Sequence, residues 1–146
     1  MSASNTFENE ILLHIFQNAN VALVGDATGI RGSSTAGSLY VSLHTSDPGE
    51  AGDQTTNETS YTNYARVAVA RTSGGWTVSG DTASNTATVS FPACGASGAT
   101  ITHFGIGTDS SGAGKLLFSG ALGSSLAVSN GITPSFAASQ LVATSA

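Results

Sequence analysis

Leu39-Tyr40-Val41-Ser42-Leu43-His44-Thr45 is the stretch that decides the fold. Side chains on an extended strand alternate between faces, so Leu39, Val41 and Leu43 share one face while Tyr40, Ser42 and His44 share the other. One face is therefore buried. Working outward, short runs enriched in β-branched and aromatic residues alternate with Gly, Ser and Thr clusters, the pattern of strands and turns. The runs Ser38–Thr45, Tyr64–Arg71, Trp76–Ser79, Thr86–Phe91, Thr100–Gly107, Lys115–Ala121, Ser125–Ser129 and Leu141–Thr144 read as strands. In Tyr64–Arg71 the small residues Ala65, Ala68 and Ala70 suggest close contact on both faces, hence a central strand. After Gly25 no helical periodicity and no βαβ alternation occurs, so sheets must cover one another. The expected fold is mainly β: an antiparallel β-sandwich, jelly-roll-like, with one short N-terminal α-helix. Periodicity does not separate a jelly roll from an immunoglobulin-like sandwich.

The helix is read over Thr6–Ala19, where Phe7, Ile11, Leu12, Ile15 and Phe16 recur at helical spacing and Glu8, Asn9, Gln17 and Asn18 fall elsewhere. Asn5 with Glu8 three positions on forms a capping-box-like start, and Asn18 and Asn20 mark the end. Residues 1–24 are thus expected as an N-terminal helical arm and residues 25–146 as the β-sandwich domain. The apolar stripe either closes one end of the β core or packs on a neighbouring subunit. In the second case Phe7, Ile11, Leu12, Ile15 and Phe16 are subunit contacts.

A chain of 146 residues fits one domain, and only 9% of them are charged, against about a quarter in average globular proteins. Ser, Thr, Asn and Gly must then supply the hydrated surface, which suits a neutral assembly partner. The net charge is −5, with Arg31, Arg66, Arg71 and Lys115 scattered along the chain. Binding to phosphates or to an anionic membrane surface needs clustered cations, so neither nucleic acid nor membrane is an expected partner. Cys94 is the single cysteine. It lies in an apolar setting after Phe91-Pro92-Ala93 and reads as a buried small hydrophobe. Glu8 and Glu10, with no basic run before Ile11–Phe16, do not make a secretory signal, and no stretch approaches the roughly 20 apolar residues of a membrane-spanning helix. Synthesis in a cytosol, without export by that route, is the simplest expectation.

The longest polar stretch without strand character runs over residues 46–60 and contains Asp47, Glu50 and Asp53. Loops of this length in a small domain are commonly functional, so these three acids are candidate contacts; a solvated loop is the plain reading. They lack the ligand spacing of an EF-hand, and no metal is assigned. His14, His44 and His103 form no local zinc motif, and there is no Gly-x-Ser-x-Gly elbow. Gly105 to Lys115 is glycine-rich, but a phosphate-binding loop needs Gly where Asp109 stands and Ser or Thr where Leu116 stands. That region reads as two strands joined by a turn, with Gly105 and Gly107 permitting a bulge or close packing. Neither an enzyme, a cofactor nor a small-molecule substrate is expected.

Four stretches together resemble a family of small proteins from tailed-phage structural gene blocks. These are Val41-Ser42-Leu43-His44-Thr45-Ser46-Asp47-Pro48-Gly49-Glu50, Tyr61-Thr62-Asn63-Tyr64-Ala65-Arg66-Val67-Ala68-Val69, Thr102-His103-Phe104-Gly105-Ile106-Gly107 and Ala127-Val128-Ser129-Asn130-Gly131-Ile132-Thr133-Pro134. Family members are capsid cement (decoration) proteins or tail-fibre-like proteins. The resemblance implies a virion structural protein without catalytic residues. The favoured expectation is a cement protein on the capsid exterior, binding the major capsid protein and itself as a homodimer or homotrimer. The alternative is a tail-fibre or host-contact protein that binds a bacterial surface receptor, for which exposed Trp76, Tyr61 and Tyr64 would be the sign. A third class, an enzyme or lectin acting on sugars, has only the acidic loop to stand on.

Overall fold

Leu39, Val41 and Leu43 are buried as the alternation requires, but Ser42 and His44 on the opposite face are buried too. The deciding strand is therefore covered on both sides. The computed structural model describes residues 4–21 and 36–145. In order these form α1 (Asn5–Gln17), β1 (Ser38–His44), β2 (Val67–Ala70), β3 (Trp76–Ser79), β4 (Thr82–Asn85), β5 (Val89–Ser90), β6 (Ala99–Gly107), β7 (Leu116–Val128), β8 (Ser135–Phe136) and β9 (Val142–Thr144). The chain is mainly β, with antiparallel sheets and one N-terminal helix, consistent with a β-sandwich. The sheets run β2-β1-β6-β7, β3-β4-β9 and β5-β8. The boundary expected at residues 24/25 lies outside the described residues.

Two compact units divide the chain. One comprises Met1–Ser38, Val69–Thr88 and Phe136–Ala146, the other Leu39–Ala68 and Val89–Ser135.

In the first unit α1 packs on β3 and β4 of its own chain. Its N-cap is Ser4, whose hydroxyl accepts from the Phe7 amide at 3.3 Å, and not the expected Asn5 with Glu8. The helix begins one residue earlier because a serine in extended conformation stands there to take the orphaned amide. Asn18 ends it in the left-handed conformation at φ 56°, its backbone N–H returning to the Leu13 carbonyl. Arg71 reinforces that end by donating to the carbonyls of Ile15 at 2.5 Å and His14 at 2.6 Å, where the negative end of the helix favours a cation. Of the stripe, Leu12 and Phe16 are fully buried, and the Phe16 ring meets Trp76 edge to face at 4.7 Å. Asn85 ties the rest of this unit together. Its amide nitrogen donates to the carbonyls of Ala87 and Ala137, both at 2.8 Å, and its oxygen accepts from the Leu141 amide at 2.9 Å.

β4 was not expected, because Thr82-Ala83-Ser84-Asn85 carries little strand signature. It forms through a two-residue turn at Gly80-Asp81, where Gly80 takes φ 61° and registers Ser79 opposite Thr82. The expected strand Thr86–Phe91 shrinks accordingly to β5.

The second unit is built on β1, β6 and β7. β6 pairs antiparallel with β1, setting Leu43 opposite Phe104 and His44 opposite His103. Gly105 is required here: a Cβ would lie 2.6 Å from the Ser42 hydroxyl and 2.8 Å from His44 Nε2. The strands expected at Lys115–Ala121 and Ser125–Ser129 are one strand, β7, interrupted where its register against β6 shifts between Ala121 and Leu126. β2 is an edge strand, not the central one expected: Ala68 and Ala70 are exposed, so their small size reflects no close packing.

Trp76 is 0% exposed. Trp76→Ala is expected to destabilise the protein by about 3–5 kcal/mol. Far-UV circular dichroism during urea denaturation checks this without needing the indole that the variant lacks.

Candidate functional site

Residues 45–60 leave β1 and double back on it. The Thr45 amide donates to the Asn57 carbonyl and the Thr59 amide to the Leu43 carbonyl, both at 2.9 Å, so Glu58 stands opposite His44 as a single antiparallel bridge. Glu58 is then anchored by a bidentate ion pair. Arg66 Nε lies 2.7 Å from Glu58 Oε1 and an Arg66 terminal nitrogen 2.8 Å from Oε2, with the arginine side chain only 2% exposed. The same guanidinium donates to the carbonyls of Asp109 at 2.9 Å and Gly112 at 2.8 Å in the β6–β7 turn. Tyr64 completes the cluster, donating its hydroxyl to Glu58 Oε1 at 2.8 Å and accepting from the Leu43 amide at 3.1 Å. Burial, with Glu58 alongside, raises the Tyr64 pKa.

Gln54 makes a second tie to that turn. Its backbone N–H donates to the Ala113 carbonyl at 2.9 Å, its side-chain oxygen accepts from the Asp109 amide at 2.9 Å, and its amide nitrogen reaches the Asp109 carbonyl at 3.3 Å. Gln54 is fully buried, and only glycine fits beside it at 107: a Cβ there would lie 2.2 Å from the Gln54 side chain. His44 sits beneath the loop with Nδ1 2.9 Å from the Thr56 carbonyl and Nε2 2.8 Å from the Ser42 hydroxyl. The carbonyl can only accept, so Nδ1 carries the proton and Nε2 receives one from Ser42. Burial lowers the His44 pKa, outweighing the raising effects of the Thr56 hydrogen bond and Glu58; Arg66 and His103 lower it further.

So held, the loop frames an open cleft of about 580 Å³. Asp47, Gly49 and Glu50 line one side, the continuous run Leu116–Ala121 of β7 the other, and His103 also faces in. His103 belongs to β6, so the cleft lies between the loop and the β6–β7 part of the sheet.

Of the expected contact residues, Asp47 and Glu50 meet at this cleft. Asp53 does not: its carboxylate accepts from the Thr55 amide at 2.8 Å and hydroxyl at 2.6 Å, and these bonds hold its pKa below the usual range. Among the described residues, no group of three or more His, Cys, Asp or Glu is placed to hold a metal ion. On the helix, Leu12 and Phe16 are buried, Ile11 and Ile15 are half-buried, and Phe7 is 44% exposed. Trp76 and Tyr61, named as exposed aromatics for a receptor-binding role, are both buried, and Tyr64 is half-buried within its ion-pair cluster. Cys94 is buried as expected. No helix among the described residues is long and apolar enough to cross a membrane. Sequence reasoning missed Glu58, Arg66 and Gln54, since no local pattern marks pairs that meet through a turn.

The described residues thus form a β-rich module with a long polar loop pinned beside its outermost strand. The podophage GP4 fiber I protein gp80 family matches residues 2–144, nearly the whole chain, and the chain belongs to that family. It is a phage virion structural protein. The match does not select the capsid cement favoured from sequence and backs the tail-fibre alternative better. No curated protein matches the chain.

Arg66→Ala is expected to destabilise by about 3–5 kcal/mol, because Glu58 is left without its cation in a largely dry site. Chemical denaturation measures this, and Glu58→Leu combined with Arg66→Leu is expected to be less harmful than the single change. For His44, the unfolded chain takes up a proton near pH 6.5 while the folded one resists. Stability should therefore fall as pH drops below about 6.5 until the lowered folded pKa is passed. Urea midpoints between pH 7.5 and 5 check this, and His44→Gln should flatten that part of the profile.

Proposed function

We propose that the protein is a non-enzymatic component of the phage tail-fibre apparatus, acting as a homo-oligomer through protein–protein contacts. The observation that carries this reading is the fibre-family match across residues 2–144. The sparse charge and the Ser/Thr/Gly surface support it, because weak neutral contacts repeated around a symmetric assembly add up through effective concentration. Burial of Trp76 and Tyr61 removes the aromatic side chains best suited to stacking on a surface sugar. A connecting role within the fibre therefore fits better than a receptor-reading tip.

A cryo-electron microscopy reconstruction of the parent virion tests the proposal. The expected result is a symmetric cluster of copies in density belonging to the tail. Copies spread over the outer shell against the major capsid protein would overturn it in favour of capsid cement. Absence from the particle would remove both readings.

A further inference from the structure

We infer that the outer edge of β7 from Leu116 to Ala121 is a docking site for an extended segment of a different virion protein, which joins the sheet as an added strand and sets a lysine or arginine against Asp47 and Glu50. The inference rests on the virion reading above and names the kind of partner it requires.

The two edges of the four-stranded sheet are unlike. At one end, β2 is only four residues long. Short length is one of the usual protections against unwanted strand pairing. At the other end, β7 runs for thirteen residues, Leu116 to Val128, without a single charged residue or proline. Among the described residues no strand pairs with its outer side. Its register against β6 slips at Leu117 and again between Ala121 and Leu126, so the regular stretch is Phe118–Ala121, within the Leu116–Ala121 run that lines the cleft. An outermost strand is a template for strand addition, with main-chain hydrogen bonds giving affinity and neighbouring side chains giving selectivity.

Charge says which strand fits. Asp47 and Glu50 are exposed on the rim facing β7. The Asp47 carboxylate accepts the Gly49 amide at 2.9 Å and stays exposed on that rim. A second copy of the chain is a poor occupant. It carries a net charge of −5, and although Lys115 is exposed beside β7, edge-to-edge pairing would bring two acidic rims, each with Asp47 and Glu50, to one seam. A basic segment of another protein faces none of these obstacles.

Hydrogen–deuterium exchange of residues 116–121, measured in purified virions and in the isolated protein, tests the edge. Slower exchange in the particle is expected. Equal exchange in the two, with the chain present in the particle, overturns the docking inference while leaving the fibre reading intact. Protection already present in the isolated protein and rising with its concentration identifies a second copy as the occupant and also overturns it. A virion lacking the chain defeats the fibre reading and this one with it. Phage carrying Asp47→Lys with Glu50→Lys test the charge: copies per particle should fall at least about tenfold, with Asp47→Asn and Glu50→Gln in between. Both side chains are exposed, so the isolated variants should melt with the parent. Unchanged incorporation of folded charge-reversed protein would overturn the basic-partner assignment.

Discussion

The Glu58–Arg66 pair is the constraint from which the second unit takes its shape. A bidentate carboxylate–guanidinium contact with the arginine side chain withdrawn from water is far more demanding than a surface salt bridge, since the desolvation of both charges must be offset by geometry. Here the remaining donors of Arg66 go to two carbonyls of the β6–β7 turn, and Tyr64 occupies a remaining position on Glu58. One ion pair thus joins the end of β1, the polar loop and the far turn of the sheet. Gln54 repeats the device with neutral groups, reading the Asp109 backbone through both its amide atoms. The outcome is a long connection that holds a defined form without secondary structure of its own.

That fixed loop gives the cleft its lasting geometry. Asp47 and Glu50 are presented by backbone whose two ends are anchored, at Thr45 and Thr59, to β1. Asp53 and the Thr55 and Thr56 hydroxyls spend their polarity within the loop, so the acids that remain outward are those beside β7. A rigid rim limits the ordering entropy that any contact made there would lose.

Much of this was legible in the sequence, and the rest has identifiable reasons for being hidden. β1, β3 and β6 announce themselves through β-branched alternation, and Asn18 marks the helix end because few residues accept the left-handed conformation. β4 lacks both signals and exists through its turn and its pairing with Trp76–Ser79. β7 looked like two strands because Leu122-Gly123-Ser124-Ser125, where the register slips, reads as a turn. β2 was misplaced because small side chains suit a crowded centre and an open edge alike. The site divides in the same way. Acids in a long polar loop are visible, whereas the Glu58–Arg66 contact and the outermost position of β7 are facts of pairing that periodicity does not encode. Likeness to phage proteins reached the virion but favoured the head, whereas the family match backs the tail-fibre alternative better.

Trp76 is the only tryptophan in the chain, and its indole N–H is buried without a hydrogen-bond partner against the ring of Phe16 on α1. An indole in such surroundings emits at short wavelength and shifts to the red once water reaches it. The isolated protein therefore carries its own optical gauge of whether the N-terminal helix is seated, readable without attaching a label.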